Sequence, residues 1–451
     1  MMFETDSLQD LAKSVQTLAE GYEDLPAFDS AYQGEDLEPV LQDLATRMQD
    51  NYPYAHPLYA GQMLKPPHPI ARTAYSMAMQ VNPNNHALDG GRASSELEKQ
   101  AVARLAAMFG WQEHLGHLCG GGTMANLEAL WVAGKETESA LVVASEQAHY
   151  THSRISNVLG LPFQSVGIDR SGRMDVGALE TVLKSGSVGT VVVTLGTTGC
   201  GAVDPLDKIL ALQKRYDFRI HVDAAYGGYF CLASNLEAPA ADAFSCISQA
   251  DSIVIDPHKH GLQPYGCGSV LFKNPAVGSH YKHESPYTYF SSSELHLGEI
   301  SLECSRPGAA AAALWATQTH LPMTPGGQFA QDLERSRSAA KDLYTKLSEH
   351  KEELVLFPPE LDIVVWAPRA ASTSEISRLS RMAFDRCAEK HLHLALLSVP
   401  SQWLVHFQPA VECDSEQVVC LRSCLMKPEH LAWLDTIWGI YCDVRSENQI
   451  L

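Results

Sequence analysis

A lysine that follows a short apolar run is the residue of this sequence best placed for covalent chemistry. Residues 252–255 (SIVI) predict a buried strand, DPHKHG (residues 256–261) follows, and a second apolar run spans Gly268 to Phe272. Lys259 is therefore predicted to lie on a short loop at a strand end. Partial desolvation there lowers the pKa of a lysine toward the range in which its amine attacks a carbonyl. The alternative is an ordinary loop lysine in water.

Two stretches nearer the N-terminus supply the groups that a phosphate-bearing cofactor needs. In CGGGTMANLEAL (residues 119–130) glycines and a threonine open a helix-like run, and bare backbone N–H groups at a helix start bind anions. In FRIHVDAAYGGYF (residues 218–230) a carboxylate ends a short strand, and small alanines leave room for a flat ring. Phosphate site, carboxylate and lysine together suit pyridoxal phosphate (PLP), whose ring nitrogen must stay protonated and whose aldehyde must meet a lysine. The cofactor contacts predicted from these stretches are Gly121, Gly122, Thr123, Asp223 and Ala225.

An ordered set of motifs extends this pattern along the chain. HPLYAGQ, GGGTMAN, SEQAHY, TLGTTGCG, HVDAAYGG, DPHKHG and ECSRPG follow one another between residues 56 and 308. HVDAAYGG followed by DPHKHG resembles the group II PLP-dependent amino-acid decarboxylases, which include the glutamate, aromatic-amino-acid, histidine and archaeal tyrosine/aspartate decarboxylases. The resemblance covers roughly Asn51 to the C-terminus.

This resemblance implies the PLP-dependent transferase fold type I, which is aspartate aminotransferase-like. That α/β fold has a mainly parallel seven-stranded sheet in the large domain and a small α+β C-terminal domain. Motifs at strand ends agree with it, because ligands of such sheets gather at the carboxyl edge of the strands. We expect a helical, dimer-packing segment at 1–85, a PLP-binding domain at 86–325 and a small domain at 326–451. Strands of the small domain are expected near 361–365, 392–397 and 403–407.

The resemblance also assigns roles to individual side chains. Lys259 would hold PLP as a Schiff base, and Asp223 would keep the ring nitrogen protonated. His149 matches a histidine that stacks on the PLP ring, where an imidazole fixes the tilt of the ring and can move a proton. His152 makes a His149/His152 metal pair the competing interpretation, but no third ligand is visible and no metal is expected. The further cofactor contacts expected are Thr197 and His258.

A proline-rich and aromatic stretch is expected to contact the substrate. Tyr59 and Gln62 lie in HPLYAGQ, which resembles the decarboxylase segment that lines the substrate side-chain pocket. Gln62 matches a glutamine that contacts substrate in the members acting on acidic amino acids. The stretch therefore favours an acidic or small polar amino acid, while an aromatic one stays open, as does a loop without substrate contacts.

The polar and aromatic segment 281–307 predicts a mobile loop. In the resembled decarboxylases a loop after the lysine carries a tyrosine that covers the site and protonates the α-carbon once CO2 has left. Tyr287 and Tyr289 are both candidates, and both are expected among the catalytic residues with Lys259 and His149. Arg306, at the end of this segment, is expected in the substrate pocket, where it would hold an anion or brace the loop. A structural arginine is the alternative.

Composition narrows the class of protein further. The chain has 451 residues, 45% hydrophobic and 19% charged, and a net charge of −20, which argues against a nucleic-acid partner. Its first fifteen residues lack the basic and apolar regions of a signal peptide, and no apolar run is long enough to span a membrane. Eleven cysteines without a Cys-x-x-Cys pair read as reduced thiols of a cytoplasmic protein.

The reaction expected from the resemblance is decarboxylation of an L-amino acid to the amine and CO2. The bond that breaks is the one held perpendicular to the PLP ring, which no motif fixes. A carbon–carbon lyase or an aldehyde-forming oxidative decarboxylase on the same scaffold is the alternative, because His260 departs from the commoner aromatic or aliphatic residue after the lysine. A silent scaffold dimer is a third reading, which the complete set of Lys259, Asp223 and His149 disfavours. The expected partners are an amino-acid substrate and a second copy of the chain, with the active site at their interface.

Overall fold

The computed structural model describes residues 7–29, 31, 34–282 and 297–447. Tyr287 and Tyr289, the two candidate loop tyrosines, lie outside these residues. The described part of the chain alternates helices and strands in the order that the sequence predicts for an α/β protein. No helix in it is both long enough and apolar enough to cross a lipid bilayer.

The bounds of the secondary-structure elements are as follows. The helices are α1 Ser7–Glu20, α2 Glu38–Met48, α3 Pro69–Ala78, α4 Arg92–Met108, α5 Gly122–Glu136, α6 Thr151–Leu159, α7 Val176–Lys184, α8 Leu206–Gln213, α9 Ala238–Ser245, α10 Gly308–His320, α11 Gln328–Glu349, α12 Thr373–Glu389, α13 Ser401–Phe407 and α14 His430–Glu447. The strands are β1 Leu115–Cys119, β2 Leu141–Ser145, β3 Phe163–Val166, β4 Val188–Thr194, β5 Arg219–Asp223, β6 Ser252–Ile255, β7 Gly268–Phe272, β8 Glu353–Val355, β9 Ile363–Pro368, β10 Ala395–Pro400 and β11 Gln417–Cys424.

A seven-stranded sheet forms the centre of the molecule, in the order β1-β7-β6-β5-β4-β2-β3. Its strands are parallel except β7, which runs antiparallel to both of its neighbours. Strands β4, β6 and β7 are buried along their whole length, and their runs of valine and isoleucine suit a sheet covered on both faces. The predicted fold class, with its mainly parallel seven-stranded sheet, is confirmed.

The parallel strands bring four motifs to one edge of this sheet. The glycine-rich turn follows β1, and His149 follows β2. Asp223 is the last residue of β5, and Lys259 comes four residues after the end of β6. Because the carboxyl ends of parallel strands share an edge, residues far apart in sequence meet there.

The smaller sheet is antiparallel, with the order β10-β11-β9-β8, and helices α11 and α12 pack against it. The strand expected at residues 403–407 is wrong, since this segment lies in helix α13. The third long strand of the small sheet is instead β11, which pairs with both β10 and β9. An apolar run of five residues fits either a strand or a helix, so pattern alone did not separate them.

The main hydrophobic core continues from the large sheet into the small one. Val191 and Leu195 of the large sheet region belong to the same cluster of buried residues as Ile363 and Val418 of the small one. In contrast, α1 and α2 bury none of their side chains. The chain therefore combines a core shared by both sheets with an N-terminal segment in which α1 is partly covered by α3 and α2 leaves its apolar residues exposed.

Candidate active site

A cavity of about 620 Å³ lies at the carboxyl edge of the large sheet. It is wide enough for a cofactor and a small substrate, since ligand pockets commonly measure about 300–1,000 Å³. Most of the predicted cofactor residues line it together. These are Gly121, Gly122, Thr123, His149, Asp223, Ala225, His258 and Lys259.

Asp223 forms the charged end of the cavity. Its Oδ2 accepts a hydrogen bond from Nε2 of His152 at 2.8 Å, and its Oδ1 accepts one from the Ala225 backbone N–H at 3.1 Å. Burial alone would raise the pKa of Asp223, but the hydrogen bond and charge of His152, with the charge of Lys259, hold it well below its usual range. The carboxylate therefore stays ionised, as a partner for a protonated ring nitrogen must.

A second histidine lies behind this pair and stays neutral. Nε2 of His221 lies 2.8 Å from the amide oxygen of Asn126, and its Nδ1 lies 2.9 Å from the hydroxyl of Ser252. The amide oxygen can only accept, so Nε2 carries the proton. Burial lowers the pKa of His221 to about 3. Its ring lies 6.2 Å from that of His152, which it supports without adding a competing charge.

Lys259 extends into the same cavity with its amine beside a buried carboxylate. Its Nζ lies 3.0 Å from Oδ2 of Asp256, and its side chain is about one-fifth exposed. The other oxygen of Asp256 has no hydrogen-bond partner among the described residues, and neither has Nδ1 of His258. Asp256 is a site residue that the sequence reasoning missed, although it lies three residues before the lysine in DPHKHG.

The glycine-rich turn is shaped by close packing against Asp256 and β7. A Cβ on Gly122 would lie 2.7 Å from Oδ2 of Asp256, and one on Gly268 would lie 2.5 Å from the Gly121 Cα. Helix α5 begins at Gly122 without a side-chain cap, so its first N–H groups face the cavity with no intrahelical partner. Thr123 adds a hydroxyl there, which makes this turn a suitable phosphate cradle.

His149 lies on the wall of the cavity in a fixed tautomer. Its Nδ1 accepts a hydrogen bond from the Thr151 backbone N–H at 3.3 Å and lies 2.5 Å from the Thr151 hydroxyl. An accepting Nδ1 leaves the proton on Nε2. Burial lowers the pKa of His149, so a neutral imidazole with a donor Nε2 lines the cavity.

Thr197 is not among the residues that line the cavity, and its contact with the cofactor stays a prediction. Its side chain is buried inside the turn after β4, where Oγ1 accepts from the Ala202 backbone N–H at 3.1 Å and lies 3.3 Å from Sγ of Cys200. The next residue, Thr198, lines the cavity instead. Within this tight turn, neighbouring threonines point in different directions, so the spacing of the motif alone did not show which one lines the cavity.

Tyr59 and Gln62 lie together beside the small domain, outside the cavity lining. Gln62 Oε1 accepts a hydrogen bond from Arg422 on β11 at 3.2 Å, and the backbone N–H of Gln62 bonds to the Tyr59 hydroxyl. Burial raises the pKa of Tyr59 to about 12, so its hydroxyl stays neutral. Tyr265, which lines the cavity, donates to the Met63 carbonyl at 3.2 Å and joins this segment to the site.

Arg422 is a second residue that the sequence reasoning missed. It is 5% exposed, and its NH2 group also donates to Sγ of Cys424 at 3.2 Å. Its Nε has no partner, and among the described residues no carboxylate forms an ion pair with it. A buried guanidinium bonded only to neutral groups can still bind an anion. The signal in the sequence was a charged residue inside an apolar strand, CLRSCL.

Arg306 is not among the residues that line the active-site cavity, and its contacts favour the structural alternative. Its guanidinium is buried and forms an ion pair with Glu98 of α4, and it also donates to the carbonyl of Leu118 at 2.6 Å. These contacts tie the start of α10 to the end of β1. These contacts favour the alternative that Arg306 is a structural residue, because the hydrogen bonds of its guanidinium are made to other parts of the protein.

The cavity thus fits PLP in each of its parts. The uncapped helix start suits the phosphate, the ionised Asp223 suits the ring nitrogen, and Lys259 suits the aldehyde. No group of three metal-ligating side chains occurs in the described part of the chain. His152, the partner in the alternative metal pair, is bonded to Asp223 instead.

Comparison with known proteins agrees with this site. The sequence model of the "Pyridoxal-dependent decarboxylase conserved domain" matches residues 28–367. A probable L-tyrosine/L-aspartate decarboxylase of Methanothermobacter thermautotrophicus is 28% identical over 356 residues, covering 78% of this chain and 92% of its own. A probable L-aspartate decarboxylase of Halobacterium salinarum is 31% identical over 331 residues, covering 72% of this chain and 87% of its own.

Solved structures share the fold over nearly the whole chain. The crystal structure of TDC from Oryza sativa with PLP and tryptamine has a TM-score of 0.78 at 17% identity, covering 99% of each chain. The fold and the site define a PLP-dependent enzyme of fold type I. Within that class, the chain belongs to the pyridoxal-dependent decarboxylase family. The predicted family, cofactor and reaction class are confirmed.

Proposed function

We propose that Lys259 holds PLP and that the enzyme removes the α-carboxylate of an L-amino acid, giving the primary amine and CO2. The observation that carries this assignment is the single cavity in which Lys259, ionised Asp223 and the uncapped start of α5 meet. These three groups lie at the positions where a phosphate, a ring nitrogen and an aldehyde would each find a partner.

Bound PLP supplies an electron-withdrawing ring that stabilises negative charge on the α-carbon of an attached amino acid. Asp223 keeps a proton on the ring nitrogen by charge pairing, and His152 keeps Asp223 ionised. His149, on the wall of the cavity, would stack on the ring of bound PLP and fix its tilt with a neutral imidazole. Asp256 lies 3.0 Å from the amine of Lys259 and orients it.

We propose that Arg422 and Gln62 together recognise a carboxylate of the substrate. The guanidinium is buried and lacks a carboxylate partner among the described residues, and its charge acts on Tyr226, a residue of the cavity lining. Binding an anion would satisfy its remaining donors at a desolvated position. The relatives are named for L-tyrosine and L-aspartate, so these two amino acids are proposed as the first substrates to test, with Tyr59 beside the side chain.

The loop tyrosines Tyr287 and Tyr289 stay predictions for the group that protonates the α-carbon. A variant lacking this proton donor would give an aldehyde in place of the amine if oxygen reacts first. The amine-to-aldehyde ratio of Tyr287→Phe and Tyr289→Phe is therefore the measurement that chooses between the two residues.

We further propose that the protein is a cytoplasmic homodimer. Each chain would comprise an N-terminal dimer-packing segment (1–85), a large PLP-binding domain (86–325) and a small domain (326–451). Support for the dimer comes from α2, where Val40, Leu41 and Leu44 are each at least half exposed. Such an apolar stripe is typical of a surface that a second copy covers. All eleven cysteines are free thiols, as expected in a reducing compartment.

The dimer is tested by light scattering on the purified full chain. Leu41→Lys combined with Leu44→Lys is expected to give a monomer, whereas Gln42→Lys on the same helix keeps the dimer. If the double variant remains dimeric, α2 is not the interface.

The cofactor and the reaction are tested on the protein purified with PLP. Borohydride reduction and peptide mapping are expected to find phosphopyridoxyl on Lys259, and CO2 release is then measured with L-aspartate, L-tyrosine and L-glutamate. Product analysis separates an amine from an aldehyde. A label on another lysine would overturn the cofactor assignment, and a labelled enzyme that releases no CO2 from any L-amino acid would overturn the reaction.

A further inference from the structure

A second cavity, of about 400 Å³, lies behind the lysine loop. It is enclosed by the segment before α3, the start of α11 and the turn after β11, and none of its lining residues also lines the active-site cavity. We call it the basic cavity. The charged or titratable residues in its lining that matter here are Lys65, Arg72, His260, Asp332, Lys427 and Glu429.

Two lysine amines point into the protein at this cavity with few partners. Nζ of Lys65 donates to the Met426 carbonyl at 3.3 Å, and Nζ of Lys427 donates to the Tyr59 carbonyl at 2.6 Å. Lys427 is only 4% exposed. Each ammonium has three N–H donors, and one carbonyl leaves two of them on Lys65 without a protein acceptor. Nζ of Lys427 also lies 5.3 Å over the Tyr59 ring, which leaves at least one of its donors without an acceptor. Among the described residues, neither lysine has a carboxylate within ion-pair distance.

The nearby carboxylates offset the charge of these amines only in part: Asp362, Asp332 and Glu429 act on Lys65 and Glu429 acts on Lys427, but among the described residues none forms an ion pair with either amine. Glu429 is exposed, and Asp332 lies 3.7 Å from Arg335 of its own helix. Burial lowers the pKa of Lys65 to about 8 and that of Lys427 to about 7, which is the expected cost of placing two cations together out of water. A bound anion would reverse that cost for both amines at once.

His260 is a further buried donor or acceptor at this cavity. It is fully buried, and its Nδ1 has no hydrogen-bond partner. Its Nε2 lies 3.2 Å from Oδ2 of Asp362, whose Oδ1 accepts from the Tyr226 hydroxyl at 2.6 Å. His260, which follows Lys259 in the chain, therefore faces the basic cavity. The carboxylate of Asp362 links it to Tyr226, a residue of the active-site lining.

We propose that the basic cavity binds a small anion with two or more charged oxygens, a phosphate ester or a dicarboxylate, with Lys65 and Lys427 as its principal ligands. This second site is separate from the glycine-rich turn after β1 and does not depend on the proposed substrate. Two links connect it with the proposed active site. Lys427 donates to the carbonyl of Tyr59, which is expected near the substrate, and His260 directly follows Lys259 in the chain.

Anion binding at this site is coupled to proton uptake. Both amines are partly neutral between pH 7 and 9, and an anion binds the charged forms, so affinity falls as the pH rises through this window. We expect binding roughly tenfold or more weaker at pH 9 than at pH 7. The other charged or titratable groups facing the two amines are His68, Arg72, His260, Asp332, Asp362, Cys424, Glu429 and His430.

Isothermal titration calorimetry on the PLP-loaded enzyme tests the site, with inorganic phosphate and malonate as the two probes. PLP occupies the cofactor phosphate cradle, so the remaining binding reports other sites. We expect one anion per chain, and about tenfold or greater weakening in Lys65→Met and in Lys427→Met. Lys65→Arg keeps the charge and is expected to retain most of the affinity. Preference for phosphate or for malonate identifies the class of natural ligand.

Lys273→Met provides the matched control, because Lys273 is exposed directly after β7 and lines neither cavity. Melting temperature and the absorbance of bound PLP show that each variant is folded and loaded. If Lys427→Met does not fold, Lys65→Met decides the question. Equal affinity in wild type and Lys65→Met, or no binding of either probe, would overturn the proposal. Either result would leave the decarboxylase assignment untouched.

Discussion

His152 and Asp223 form a buried pair at the end of the active-site cavity, with 2.8 Å between Nε2 of the histidine and Oδ2 of the carboxylate. Hydrogen bonds to charged groups contribute about 1.5–3 kcal/mol. We therefore expect His152→Leu to weaken PLP binding and lower kcat together, by about 10- to 100-fold in kcat/KM.

The control for this variant is His320→Leu, which changes an exposed histidine at the end of α10. Activity and PLP affinity are measured for both proteins at one pH. Wild-type kinetics in His152→Leu would show that Asp223 holds its charge without this histidine.

Gly122→Ala is expected to damage the phosphate cradle. The new methyl group would lie 2.7 Å from the Asp256 carboxylate, which also orients Lys259. Either the turn or the Asp256 carboxylate must move to make room. The Kd for PLP should therefore rise by about tenfold or more, equivalent to about 1.4 kcal/mol of binding free energy. Gly167→Ala is the control, because a Cβ there meets no atom within 4 Å. Equal PLP affinity in the two variants, measured by fluorescence titration, would show that the turn relaxes freely.

Arg306→Met is expected to lower stability rather than substrate affinity. The change strands the Glu98 carboxylate in the protein interior, and breaking a buried ion pair in this way costs about 3–5 kcal/mol. Adding Glu98→Gln removes the stranded charge and should restore part of the loss, as denaturant unfolding would show. KM should stay within about twofold of wild type wherever the variant is folded. A stable variant with a strongly raised KM would return Arg306 to the substrate pocket.

His221 should contribute to stability in a pH-dependent way. Its folded pKa of about 3 lies below the ordinary histidine value, so the unfolded chain binds the extra proton. Its contribution is complete above about pH 6.5 and is lost as the pH falls, by about 1.4 kcal/mol per pH unit. Burial raises the pKa values of Asp204 and Glu360 to about 7, so their contribution to the unfolding free energy instead decreases as the pH rises. The informative quantity is therefore the difference in unfolding free energy between wild type and His221→Gln from pH 7.5 to 5.5, and a flat difference would contradict the buried neutral state.

The sequence predicted the active-site edge of the sheet well, because each motif there is local. Strand and loop follow one another within a few residues at Asp223 and at Lys259, so a short stretch contains the whole signal. The partners of those residues could not be predicted in this way. His152 lies 71 positions before Asp223, and Glu98 lies 208 positions before Arg306. Only the folded chain brings such pairs together.

The small domain was predicted less well for a different reason. Its segments are short and apolar, and burial on both sides removes the alternation that distinguishes a strand. Residues 403–407 lie in helix α13 and not in the expected strand. Strand β11 is not predicted from the pattern because Arg422 and Ser423 interrupt its apolar residues. In the fold those two polar residues are buried and bonded.

The antiparallel strand β7 also bears on the order in which the protein folds. It lies between β1 and β6, so Cys119 at the end of β1 pairs with Gly268 only after the intervening strands have been synthesised. Pairings so distant in sequence carry a high loop-closure entropy and form slowly. The glycine-rich turn rests on β7, so it reaches its final shape among the last parts of the sheet. PLP should therefore bind late in folding, to a large domain whose sheet is nearly complete.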